Sequence, residues 1–175
     1  MFLRILQSET YSILDCLFYD RANQSSHYDD YVNYNSYLDV TYTSDYTDLK
    51  ENSAEHGRYS IASSNSYIAF PLGIRFECDL KCVDGESSST PLRIMNANAT
   101  SQLSNPSIAN LGLTIGEFGH FTIDITEDGM LITRGDGTTT TRLLPSTTTT
   151  NVAFAFWTHG AITELQFKNV LIYPI

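Results

Sequence analysis

The stretch Phe70–Val83, FPLGIRFECDLKCV, alternates along most of its length. Phe70, Leu72, Ile74, Phe76, Cys78, Leu80 and Cys82 are apolar or small, and from Arg75 onward the residues between them are charged: Arg75, Glu77, Asp79 and Lys81. Side chains point to alternate faces in an extended chain, so this period of two specifies one strand with a dry face and a wet face. A strand of about ten residues spans roughly 33 Å, longer than most. It belongs at the centre of a sizeable antiparallel sheet. The rest of the chain must supply that sheet and a second layer over its dry face.

The remainder follows the same grammar. Tyr37–Thr43 turns Leu38, Val40 and Tyr42 inward, and Phe121–Thr126 lines up Phe121, Ile123 and Ile125. Asn151–Thr158 sets Val152, Phe154 and Phe156 on one face and Ala153, Ala155 and Trp157 on the other. Further strands are expected at Ser12–Tyr19, Arg58–Ala62, Tyr67–Ala69, Leu92–Met95, Leu111–Ile115, Met130–Arg134 and Thr138–Leu144. Glu127-Asp128-Gly129 reads as a tight hairpin turn in which Asp-Gly supplies a positive-φ pair. In the closing Ile162–Tyr173, Leu165 and Phe167 point inward, as do Val170 and Ile172; the slip in phase near Asn169 predicts a β-bulge. Residues 20–36, Asp45–Gly57 and Asn96–Asn110 are polar and read as loops. About ten to thirteen strands without a long helical stripe specify an all-β, single-domain antiparallel β-sandwich over residues 1–175, with 1–11 as a lead-in or assembly segment.

Composition bounds the partners. The net charge of −10 over 175 residues repels a phosphate backbone and argues against nucleic acid. No run approaches the ~20 apolar residues of a membrane span, so no membrane insertion is expected. Glu9 and Asp15 interrupt any apolar leader near the start, and no signal peptide is read there. Cys78 and Cys82 share the dry face about 13 Å apart, too far for a disulfide. They are expected to be buried packing residues, and a bridge from Cys16 to either is left open.

Three segments carry a resemblance: FYDRANQSSHYDDYVNY followed by YLDV, the block GEFGHFTIDITEDGMLITR at Gly116–Arg134, and the closing ELQFKNVLIYPI. In order and spacing they resemble the concanavalin A-like (laminin G-like) jelly rolls, most closely the small sandwich domains of phage and archaeal-virus structural proteins. The resemblance implies a binding or structural module, displayed on a virion and often directed at glycans. Some relatives of this fold hydrolyse β-glucans through a Glu-x-Asp-x-x-Glu strand. Glu77-Cys78-Asp79 matches its start, but Cys82 stands where the third acid belongs, and retaining hydrolysis needs a close carboxylate pair. No catalytic residues are therefore assigned, and the protein is not expected to be an enzyme.

The candidate ligand-binding residues are Trp157, which could stack on a sugar ring from the outer face of its strand, and Arg75, Glu77 and Asp79 as glycan hydrogen-bonders. Asp20, Asp29 and Asp30, with Asp45 and Asp48 nearby in sequence, are the candidate ligands of a structural Ca²⁺; no other cofactor is expected. His27, His56, His120 and His159 are scattered, without metal-ligand spacing. Arg134-Gly135-Asp136 spells an integrin tripeptide, but Gly-Asp-Gly is ordinary turn chemistry. Two functional classes follow. One is a non-enzymatic virion structural or adhesion domain, virion-borne or extracellular, partnered with virion proteins or with itself as a homo-oligomer such as a trimer, and binding host-surface carbohydrate. The alternative is a carbohydrate-binding module or glycan-hydrolase-related sandwich of a secreted or surface protein.

Overall fold

In the computed structural model, strand β7 (Ile74–Cys82) alternates buried and half-buried residues at all nine positions. The structure describes residues 18–20, 31–34, 37–61, 67–68, 73–96, 102–144 and 151–175. β7 is central, as its pattern requires. Its neighbours are β10 (Gly119–Thr126) on one edge and β14 (Glu164–Pro174) on the other. The sheet extends through β11 (Gly129–Arg134) and β12 (Thr139–Arg142) beyond β10. On the other side come β4 (Thr47–Glu51) and β3 (Leu38–Tyr42). β1 (Phe18–Asp20) pairs with the C-terminal half of β14, making eight strands.

The second sheet has six strands. Its core order is β2 (Tyr31–Tyr34), β5 (Arg58–Ile61), β13 (Asn151–Trp157), β8 (Leu92–Asn96) and β9 (Gln102–Ser104), with β6 (Tyr67–Ile68) also on β13. All pairings are antiparallel. The chain is thus the all-β antiparallel sandwich that the alternation specifies, with the jelly-roll architecture that the resemblance implies.

Facing aromatics join the two layers. Phe156 of β13 stacks on Phe167 of β14 with ring centroids 4.0 Å apart and planes at 11°. Phe76 of β7 stacks on Phe154 at 4.8 Å and touches Phe121 of β10 at 6.1 Å. All five rings are fully buried. Such pairs contribute about 0.5–1.5 kcal/mol each beyond the area they bury.

Several expectations are corrected. Tyr31–Tyr34 and Thr47–Glu51 are strands, not loops. β4 has polar residues at four of its five positions, yet it pairs on both edges, and Thr47 and Leu49 face inward; tertiary pairing overrides composition there. Leu111–Ile115 is not a strand. Leu111 ends a short helix, α1 (Ile108–Leu111), and Ser107 and Asn110 form its capping box. Gly112 closes α1 at φ 69°, a left-handed cap that favours glycine, and the Arg134 side chain packs against its Cα. The β10–β11 turn has Glu127 and Asp128 as its two loop residues, since Thr126 pairs with Gly129; Gly129 has positive φ and Asp128 does not. The predicted bulge is present: the β7–β14 register shifts between Lys168 and Leu171, and Asn169 has φ 51°.

Cys78 and Cys82 are free and buried on the inner face. Burial pushes the Cys82 thiol up to about 12 and raises that of Cys78 well above its ordinary value. Residues 1–17, including Cys16, lie outside the described residues. Among the described residues no helix is long and apolar enough to cross a membrane.

Two outcomes check this core. Phe76→Ala should cost about 3–5 kcal/mol in a urea melt, and Phe76→Leu clearly less, because the alanine leaves a void between two stacked rings. In a Cys16→Ser background, a thiol reagent should leave Cys78 and Cys82 unlabelled in the folded protein and modify both in denaturant, read by mass spectrometry.

Candidate functional site

Inward phenylalanines fix what the outer faces carry. On the eight-stranded sheet, Phe76 and Cys78 inside force Arg75, Glu77 and Asp79 outside. Register places His120 beside Asp79 and Asp124 beside Arg75. These groups satisfy one another. Arg75 donates two hydrogen bonds to the Asp124 carboxylate, at 2.5 and 2.6 Å, and this pairing raises its pKa. Glu77 accepts from the Tyr173 hydroxyl at 2.9 Å. Asp79 takes His120 Nδ1 at 2.8 Å and the Asn169 amide, presented by the bulge, at 2.6 Å. His120 Nε2 lies 3.7 Å from Glu77. The result is a closed polar network. Cys82, at the position of the missing acid, faces the core and is fully buried.

The outer face of the six-stranded sheet differs. β13 places Ala153, Ala155 and Trp157 outward, since Phe154 and Phe156 point in. Register sets Ala155 between Ser60 of β5 and Arg93 of β8, with Trp157 opposite Arg58. The alanines leave room above the strand. Arg58 reaches from β5 across β13 to bring Nη1 within 3.5 Å of Met95 Sδ on β8; larger residues at 153 and 155 would block that path. Met95, Ala153 and Ala155 form a small buried cluster of their own beneath it.

At the end of this face a cluster of tilted rings forms around the chain's one tryptophan. The His159 ring lies 3.9 Å from that of Trp157, centroid to centroid, and Arg93 Cζ sits 4.6 Å over the indole. His56 lies 5.1 Å from His159 on the far side, with its own Nδ1 3.1 Å from Glu51. His159 Nδ1 lies 3.1 Å from the Thr90 hydroxyl. Burial, then the nearby His56 and Arg93 charges, lower the His159 pKa. Burial and then the Arg58 charge lower that of Arg93.

The sequence-derived candidates therefore divide between opposite sides of the sandwich: Arg75, Glu77 and Asp79 on one sheet, Trp157 on the other. His56, Arg58, Arg93 and His159 were not singled out as a group. The available signal was the two-residue spacing of His56 with Arg58 and of Trp157 with His159, which places each pair on one side of an extended segment.

Among the calcium candidates, Asp29 and Asp30 lie outside the described residues. Asp20 is 1% exposed on β1, and Asp48 sits on β4 instead of in a loop. Among the described residues no three His, Cys, Asp or Glu side chains are grouped to hold a metal. The Arg134-Gly135-Asp136 turn is present, but its side chains are engaged locally. Arg134 donates to the Asn110 carbonyl and to Thr138 and Thr140. Asp136 accepts from the Thr138 amide and hydroxyl.

No protein-family model and no curated protein sequence matches the chain. Solved structures do match in fold. A sialidase aligns over 87% of this chain at 11% identity and TM-score 0.62, and the matched region is 18% of the sialidase's length. A carbohydrate esterase from the Shiga toxin-encoding bacteriophage phi24B aligns over 91% of this chain and 98% of its own, at 9% identity and TM-score 0.57. The carbohydrate binding module CBM66 from Bacillus subtilis aligns over 82% and 95%, at 12% identity and TM-score 0.52.

The His159 environment makes a pH prediction. Its folded pKa lies below its unfolded one, so the unfolded chain binds more protons in the window between the two. Stability from this group is complete above the ordinary histidine value and falls as pH drops through that window. A melting-temperature series from about pH 7.5 to 5 should show a loss on acidification that His159→Gln reduces.

Proposed function

We propose that this domain is a non-catalytic carbohydrate-binding module whose ligand docks on the outer face of the six-stranded sheet, against Trp157, Arg93 and His159. The observation that carries this reading is the contrast between the two outer faces. Arg75, Glu77 and Asp79 already hold partners within their own network, so a ligand would have to break strong local bonds to use them. The Trp157 cluster is half-buried and rich in donors, the combination of apolar surface and few placed polar groups that small-ligand sites use. Trp157 holds the Arg93 guanidinium over its ring, and that preorganisation lowers the entropy lost on binding.

The neighbours in fold include a carbohydrate binding module and proteins named as acting on glycans, which supports a carbohydrate over a peptide or lipid ligand. The absence of catalysis is supported by Cys82, inward and buried where the third acid would stand, and by the mutual pairing of Glu77, Asp79 and His120. The resemblance of the strand order to virion sandwich domains favours display as an adhesion domain on a virion, as a homo-oligomer. Light scattering on the purified protein should then give a mass above that of the 175-residue monomer.

A glycan array of neutral, carboxylated and sulfated oligosaccharides tests the binding. Wild type should bind, and Trp157→Ala should lose at least about tenfold in affinity while keeping the wild-type circular dichroism spectrum. Chromatography of the bound glycans after overnight incubation should show no cleavage product. Loss of folding with Trp157→Ala would make the indole a packing residue, and absence of binding across the array would overturn the proposal.

A further inference from the structure

The ligand's charge can be read from the arginines. The chain has 20 acidic and 10 basic residues, so carboxylates are plentiful and an unpaired arginine is not forced by composition. The other described arginines that flank the two sheets show what an engaged guanidinium looks like here. Arg75 grips Asp124 with two hydrogen bonds. Arg134 reaches a carbonyl and two hydroxyls. Arg142 donates to Asn110 and Ser104.

Among the described residues Arg93 has no such partner. Its guanidinium rests on the Trp157 ring, and its one hydrogen bond is a long contact from Nη2 to Gln102 Oε1 at 3.4 Å. Its Nε is buried and makes no hydrogen bond. Across Ala155 on the same register row, the Ser60 hydroxyl is likewise buried without a hydrogen-bond partner among the described residues. A second guanidinium, that of Arg58, crosses the same alanine floor. Two like charges are brought together, one of them without a carboxylate. Burying an arginine's donors without acceptors costs free energy, and holding a second cation nearby adds to that cost. The arrangement becomes favourable when an anion with two acceptor oxygens completes it, because the guanidinium fork matches a carboxylate in a bidentate geometry.

We infer that the carbohydrate recognised at this face is acidic, a uronate-type sugar whose ring carboxylate is received by the free fork of Arg93 beside Arg58. The inference rests on the carbohydrate-binding reading above and names its ligand class. Trp157 orients the guanidinium from below. The ligand carboxylate supplies acceptors for Nε and Nη2 once the guanidinium turns to uncover the buried Nε, and the Ser60 hydroxyl stays beneath the contact. Neutral sugars offer no such anion, and the Arg93 cation left without a carboxylate penalises them.

The test is isothermal titration of the full chain with oligogalacturonate and oligomannuronate, each paired with its carboxyl-reduced, neutral form, alongside the array of neutral, carboxylated and sulfated glycans. The expected result is binding of an acidic form and not its reduced form, weakening as NaCl rises from 50 to 500 mM, on the order of tenfold or more. Arg93→Gln should weaken acidic binding roughly 10- to 150-fold, the loss expected of a charge-assisted hydrogen bond. Arg93→Lys should fall between, since it keeps the charge and loses the fork. Arg93→Gln should also leave the melting temperature unchanged or raised, because it removes a charge that has no carboxylate among the described residues. Equal binding of acidic and reduced forms, or of neutral glycans alone, would overturn this inference and leave the binding module intact. Binding of sulfated glycans alone would overturn the carboxylate assignment. Binding of no glycan would overturn the module itself. A large loss of melting temperature in Arg93→Gln, with affinity unchanged, would make Arg93 a packing residue and overturn the inference.

Discussion

The contact on which the rest depends is the pair of aromatic stacks between the layers, Phe156 on Phe167 and Phe76 on Phe154. The rings come from three strands, Phe154 and Phe156 from β13 of one sheet and Phe76 and Phe167 from β7 and β14 of the other, so the stacks fix the sheets' spacing and the phase of every strand that contributes. Phase is binary in a strand: moving Phe156 to the other face would bury Trp157 and expose the phenylalanines. The outer faces follow from the inner one. Arg75 and Glu77 face solvent because Phe76 does not, and Trp157 joins the outward alanines because Phe154 and Phe156 are needed inside.

That coupling yields two faces of unlike chemistry. On the eight-stranded sheet the cross-strand neighbours are complementary: arginine with aspartate, histidine with two carboxylates, tyrosine with glutamate. Opposite charges on adjacent strands stabilise the sheet by a few tenths to one kcal/mol a pair. On the six-stranded sheet Ala155 stands between Ser60 and Arg93, with Trp157 opposite Arg58, and the row through Ala155 holds no pair of opposite charges. Alanine at 153 and 155 is what makes the crossing of Arg58 sterically open, so the absence of bulk on β13 is as much a part of the site as the side chains that surround it.

The sequence made the architecture legible where one side of a strand is core. β7, β10, β13 and β14 were read in phase, and the bulge at Asn169 followed from the slip between Phe167 and Val170. Strands whose apolar content is low were missed. TDLKE of β4 has one apolar residue and holds its place through ladders to β3 and β14, which no local pattern records. The hairpin at Glu127 was located but its turn residues were offset by one, because Gly129 already pairs with Thr126. The site was half legible. Trp157 could be placed outward from its alternation with Phe156. Its companions could not, since Arg93 and His56 come from β8 and the segment before β5, and only the strand order β5–β13–β8 brings them to it.

Arg75 and Arg93 together sharpen what an outward arginine means in this fold. Both sit on sheet strands, both are half-buried, and both stand beside an aromatic side chain, Tyr173 for one and Trp157 for the other. The difference lies one strand away. Beside Arg75 the register supplies Asp124, and the fork closes on it. Beside Arg93 it supplies Ala155, which has nothing to offer. A carboxylate brought from outside would meet at Arg93 the same two-point geometry that Asp124 already occupies at Arg75. The first sheet thus contains, as a finished internal contact, the interaction proposed for the second.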